Sequence, residues 1–147
     1  MNYPVAAAVV LSAAMSSSFC IFPNYTQDWA AQAQSAARNG NMVTAERYFL
    51  YALSQTCDSP NRIAHAANLE LAAAFYQANE RADKAMSMYK EAIAIRRGFD
   101  HPQLVADLRA AADLAEASGD KRQSEEYMQE AIEICQRQAG GNTAPMF

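Results

Sequence analysis

Ala85-Met86-Ser87-Met88-Tyr89-Lys90-Glu91-Ala92-Ile93 is a small residue, an aromatic four positions later, and an Ala-aliphatic pair three positions after that. The spacing of four and then three is one face of a helix. The same figure occurs upstream as Ala45…Phe49…Ala52-Leu53 and downstream as Ser124…Met128…Ala131-Ile132. From Ala45 to Ala85 is 40 positions, and from Ala85 to Ser124 is 39. A recurrence at this period marks a solenoid of stacked repeats, each a unit that buries its apolar face on its neighbours. The two outer copies are preceded by a glycine five positions before the small residue, Gly40 and Gly119.

Working outward, each copy is preceded by a second apolar helical pattern: Trp29, Ala33, Ala36; Leu69, Ala73, Tyr76; and Leu108, Ala112, Ala115. Short turns join the two patterns of each unit, at Asn39-Gly40-Asn41, Asn79-Glu80 and Ser118-Gly119-Asp120. Connections this short force the two helices antiparallel. The expected helices run from about 25 to 38, 43 to 56, 61 to 78, 82 to 97, 102 to 117 and on to about 138. Asp58-Ser59-Pro60 and Asp100-His101-Pro102 separate the units, with Ser59 expected to cap and each proline to suit a first turn. Pro60 to Ala85 is 25 positions and Pro102 to Ser124 is 22, which predicts a longer third helix.

Of 147 residues, 51% are hydrophobic, much of that alanine, and no alternating β-branched run has the length of a strand. The class is all-α. Net charge is −4 and no basic stripe interleaved with aromatics is present, so nucleic acid is not an expected partner.

No charged residue occurs before Asp28, and Val5 to Met15 is an apolar run followed by Ser16-Ser17-Ser18. Residues 1–18 read as a signal peptide or apolar leader and 19–24 as a linker. If the signal is real the protein is exported, periplasmic or secreted; otherwise it is cytoplasmic, with the apolar leader packed on the first unit. Membrane association is expected only if that segment is retained or lipidated. Phe19 before Cys20 fits a lipoprotein signal poorly. Cys20 and Cys57 either pair, in an exported chain, or remain thiols, and Cys135 reads as a small core residue. Residues 139–147 read as a disordered tail.

The chain offers two histidines. His101 lies in a helix-start signal, and His65 has no acid one turn away on its own helix. Without a base beside a nucleophile, or three converging ligands, the residues point to no catalytic set, no metal site and no cofactor. The glutamates of the last helix, interleaved with Arg122 and Arg137, read as a solvated face.

The pattern Trp29…Ala33…Gly40…Ala45…Phe49…Ala52, repeated with Gly98, Asp100-His101-Pro102 and Gly119, resembles the tetratricopeptide repeat (TPR), in the longer-period variety of kinesin light chains. The resemblance covers about Tyr25 to Gln138, as units 25–57, 61–97 and 102–138. Ala36 and Ala115 stand where the family prefers an aromatic, and Ser124 and Met128 depart from it in the third unit. It implies a right-handed solenoid of three antiparallel helix pairs that binds a protein or peptide in a concave groove. By position the groove residues are Gln27, Gln34, Arg38, Glu70, Gln77, Arg109, Asp113 and Glu116. They lack the Lys/Asn clamp by which some members hold a terminal carboxylate. A cytosolic chaperone of this fold, and a helical enzyme subunit or small-molecule sensor, are the alternatives. The last helix carries Tyr127, Met128, Ile132 and Ile134 with no helix expected after it, which implies a partner face or a weak homodimer.

Overall fold

The computed structural model describes residues 28–140. Six helices form among them: α1 Trp29–Arg38, α2 Met42–Thr56, α3 Arg62–Ala78, α4 Ala82–Arg97, α5 Leu104–Ala117 and α6 Lys121–Gly140. No strand is present among the described residues. No helix there is long and apolar enough to cross a membrane. The leader, the linker and Cys20 lie outside the described residues.

Helix starts are set by side-chain acceptors. Asp28, Asn41, Asn61 and Asp120 each accept the backbone N–H three residues on, at 3.0–3.3 Å. Each satisfies one donor that a helix start leaves free. The expected cap at Ser59 is displaced to Asn61; Ser59 instead accepts from the Asn61 N–H at 3.1 Å. The last helix reaches Gly140, so Ala139 and Gly140 belong to it and not to a tail. α3 has 17 residues and α5 has 14, the difference expected from the proline spacing.

The three turns inside the units share one backbone. Asn41 N–H bonds the Ala36 carbonyl, Arg81 N–H that of Tyr76, and Asp120 N–H that of Ala115, each at 2.9 Å. This six-to-one bond closes a helix when the intervening residue is left-handed. Gly40 (φ 77°) and Gly119 (φ 84°) take that conformation, and in the middle unit Glu80 does (φ 58°). A Cβ built on either glycine meets nothing within 4 Å, so backbone conformation alone favours glycine there.

Packing follows the register. Ala45, Ala85 and Ser124 are buried, as are Ala52, Ala92 and Ala131. These small residues let the paired helices approach, and bulky neighbours fill the remaining space. The rings of Phe49 on α2 and Phe75 on α3 lie 5.2 Å apart, and Phe75 meets Tyr76 edge-on at 5.4 Å. The bulky position is 2% exposed at Phe49 and 4% at Tyr89, but 39% at Met128. Trp29, aligned with buried Leu69 and Leu108, is only partly buried, its ring 5.3 Å from both Tyr48 and Tyr51. Cys135, expected in the core, is exposed. α6 packs one face on α5 and no further described helix covers its other side.

Candidate functional site

α1 and α3 are the first helices of successive units, and a cleft opens where their C-terminal halves run beside the start of α2. It encloses about 450 Å³. Ala37, Ala74 and Ala78 leave the space, Phe49, Phe75 and Leu71 supply apolar walls, and Gln34, Arg38, Met42 and Asn79 complete the lining. Asn79 is held in place by donating from Nδ2 to the Phe75 carbonyl at 2.7 Å. The chemistry offered is an apolar seat with an amide and a guanidinium at its edge. A site of this make-up orients a side chain or a segment of backbone.

Two of the groove residues expected from sequence, Gln34 and Arg38, line this cleft. Gln27 lies outside the described residues. Gln77 is exposed on α3, its side-chain oxygen 3.4 Å from the Tyr89 hydroxyl. Arg109, Asp113 and Glu116 are exposed on α5. By repeat register, positions 34, 74 and 113 are equivalent, as are 37, 77 and 116. The line that begins at the cleft therefore continues onto Asp113 and Glu116.

Glu70 is placed elsewhere. It sits at the junction of the second and third units, accepting from Arg96 Nη2 at 2.8 Å and from Gln103 Nε2 at 3.0 Å. Arg96 also bonds Asp107, and both of these side chains are buried. A position that looks free on one helix is thus occupied by groups 26 and 33 residues further on. The cleft's apolar residues, Leu71, Ala74, Phe75 and Ala78, are not among the polar positions expected from sequence. Their signal was present, because Ala74 and Ala78 fall outside the Leu69, Ala73, Tyr76 stripe.

A second network ties α2, α3 and α4 together beside the cleft. Glu46 accepts from the Tyr76 hydroxyl at 3.0 Å, Arg81 at 2.8 Å and Lys84 at 3.1 Å. Burial pulls the Glu46 carboxyl upward, but the hydrogen bonds from Lys84, Arg81 and Tyr76 outweigh it and hold it below its ordinary value. Burial, helped by the Glu46 charge, pushes the Tyr76 hydroxyl up to about 12.

Among the described residues, one arrangement resembles nucleophilic machinery, and it is incomplete. Cys57, His65 and Glu91 line a depression of about 330 Å³ on α2–α4. The Cys57 thiol donates to the Ser54 carbonyl at 3.3 Å. His65 is spent on Thr56, 2.8 Å from Nδ1, and on Glu91, 3.4 Å from Nε2. A nucleophile needs its base within hydrogen-bond reach, and that pairing is not made. Among the described residues no cluster of His, Cys, Asp and Glu could hold a metal ion.

The family model described as "Tetratricopeptide repeat" matches residues 62–137, just over half of the chain. Among solved structures the fold is similar to that of a Podosopora anserina protein assigned as a kinesin light chain with nearly identical TPR-like repeats. The TM-score is 0.61 at 19% identity, covering 72% of this chain and 53% of that one. A single-substitution variant of that protein gives a TM-score of 0.62 at 19% identity, over 72% and 52%. At this identity the likeness is one of fold, and the chain spans about half the length of those structures. No curated protein matches. With six helices in registered pairs among the described residues and a matching family model, the chain belongs to the tetratricopeptide repeat family.

Proposed function

We propose that the chain binds a peptide segment of a partner protein along its first helices, with one apolar side chain of that segment seated in the α1–α3 cleft. The observation that carries this reading is the cleft itself: apolar walls of Phe49, Leu71 and Phe75 beneath the polar edge of Gln34 and Arg38. An apolar anchor with a few placed polar groups is how concave sites obtain both affinity and orientation. Arg38 at one end of the line and Asp113 with Glu116 at the other favour a segment with an acidic and a basic end. The repeats hold these side chains in place, and any chemistry belongs to the partner.

The test fills the cleft without touching the core. Ala74 is exposed, so Ala74→Arg is expected to leave the thermal melt unchanged while abolishing capture of partners from the source cell. Capture equal to that of the unaltered chain would sink the reading. Arg109→Glu is expected to weaken capture with no loss of stability, and unchanged capture would remove Arg109 from the site.

Residues 1–18 support export as the setting for this activity. The mass of the protein from its source checks that: loss of the residues through Ser16 or Ser18 is expected, and a retained Met1 counts against it.

A further inference from the structure

The repeat register gathers three aromatic rings at the opening end of the stack. Trp29, Tyr48 and Tyr51 occupy the positions of Leu69, Met88 and Glu91 in the second unit and of Leu108, Tyr127 and Glu130 in the third. In those units the positions meet the second helix of the unit before. Leu69 and Met88 share one apolar cluster with Leu53 of α2. Glu130 accepts from Arg97 Nε of α4 at 2.7 Å, and Leu108 is buried. Tyr127 packs against the core, as does Ile134, although both were expected from sequence on an open face of α6. On the first unit no described helix precedes α1. Trp29 keeps its ring 5.3 Å from those of Tyr48 and Tyr51, and Tyr51 is left 46% exposed.

The chain itself supplies a cover for this face. Residues 1–27 lead into α1, and they join it at Asp28, the residue before Trp29. The stretch Phe19-Cys20-Ile21-Phe22-Pro23-Asn24-Tyr25 carries four large apolar side chains and no charge. Thr44 and Gln55, at the positions of Lys84 and Ile95 that also reach α2, add no charge to the face. From Thr44 to Gln55 is about 17 Å along the helix, within the span of seven extended residues, about 23 Å. A segment tethered this close is present at an effective concentration of about millimolar, which a separate protein or a second copy would have to exceed. We propose that residues 19–25 dock on the Trp29–Tyr48–Tyr51 face and stand in for the second helix of a preceding unit, with Ile21 and Phe22 against the rings. Aromatic side chains gain from such edge and offset contacts beyond the area they bury. A cut after Ser16 or Ser18 leaves this segment on the chain, so the cap is the same with or without the leader. The α1–α3 cleft lies at the other end of α1, and what it binds does not bear on this face.

Trp29 is the chain's one tryptophan and lies in the face, so its fluorescence reads whether the face is covered. In the full chain, Ile21→Asp with Phe22→Asp is expected to shift Trp29 emission to the red and to raise its quenching by acrylamide. Val9→Asp with Val10→Asp, in the leader, is expected to change neither. Leu50→Asp, at an exposed apolar residue elsewhere on α2, is expected to change neither as well. Tyr51→Asp is expected to release the segment, so that chymotrypsin cuts after Phe22 and Tyr25 at least about tenfold faster than in the unaltered chain, because cleavage follows the open population.

Unchanged emission and quenching on Ile21→Asp with Phe22→Asp, or equal cutting of the Tyr51→Asp chain, would overturn the proposal. A Trp29 shift on Val9→Asp with Val10→Asp would assign the face to the leader and overturn it equally. So would Trp29 emission that moves to the blue with rising concentration alongside a dimer in sedimentation, which assigns the face to a second copy. Circular dichroism confirms that each variant keeps its helices before its fluorescence or cleavage is read.

Discussion

The two junctions between units use the same positions and opposite chemistry. Between the first and second units, α2 offers Thr56 and α3 offers Asn68, whose side-chain amide donates to the Ala52 carbonyl at 3.3 Å and to the Thr56 hydroxyl at 3.4 Å. Between the second and third, the equivalent residues are Arg96 and Asp107, a buried ion pair extended to Glu70 and Gln103. The neutral junction keeps its charges at its other, wetter end, where Glu46 gathers Tyr76, Arg81 and Lys84. The charged junction buries them, leaving Arg96 Nε and Asp107 Oδ1 without a hydrogen-bond partner in the structure. Desolvating two charges costs several kcal/mol that their attraction only partly returns. A buried pair of this kind adds little net stability, but it punishes any wrong neighbour heavily. The difference teaches that one backbone register can be closed either by tolerant amides or by a pair that accepts one partner only.

The largest expected effect breaks the charged junction. Asp107→Ala strands Arg96 in the interior and is expected to remove about 3 kcal/mol of stability in a urea melt. A loss below about 1 kcal/mol would show that Glu70 alone satisfies the guanidinium.

The wet end of the neutral junction is probed by alkali. With its folded pKa raised to about 12, the Tyr76 hydroxyl contributes stability that is complete below about pH 10 and is lost as pH rises toward 12. Tyr76→Phe is expected to flatten that part of the decline, by about 2 kcal/mol. An identical alkaline profile for the two proteins would remove the hydroxyl from the account.

At the neutral junction itself, Asn68→Ala is expected to cost about 1 kcal/mol, the scale of ordinary hydrogen bonds. A loss as large as that of Asp107→Ala would erase the contrast between the junctions.

The turns repeat the comparison on a smaller scale, one conformation being met by Gly40 and Gly119 and by Glu80. Glu80→Gly is expected to raise stability by about 0.5–1 kcal/mol by relieving the left-handed backbone, with no gain expected if the Glu80 side chain supports the turn in some other way.

The smallest effect is the most pointed. Arg96→Met combined with Asp107→Leu removes both charges at once and is expected to change stability by less than about 1 kcal/mol. A loss near the sum of the single substitutions would mean that the ion pair itself stabilises the fold.

Much of this architecture was legible in the chain. The Ala-aromatic-Ala figure is a local signal, because helical geometry alone puts positions four and three apart on one face. Gly40 and Gly119 announced their left-handed turns because few other residues take a positive φ easily; Asn79-Glu80 was legible as a turn, but the positive φ of Glu80 was not, since glutamate rarely adopts it. Other residues misled for a common reason. Glu70 read as a groove residue, and His65 as having no acid one turn away on its own helix, yet Arg96 and Glu91 reach them from α4. Which side chain meets which across a junction depends on how two helices are rotated against each other, and no single-helix pattern encodes that. Ser59 lost the cap to Asn61 by a shift of two residues, which composition cannot arbitrate.

The sequence by itself determined the all-α class, the number and period of the units, their antiparallel pairing and the family. These rest on local propensity and on a pattern repeated often enough to be unambiguous. The tertiary structure alone decided which polar residues are consumed at junctions, where the alanines leave a cleft, and that Met128, Ile132 and Cys135 face outward while Tyr127 and Ile134 face in. Those are properties of the space between helices, and that space exists only once the units are stacked.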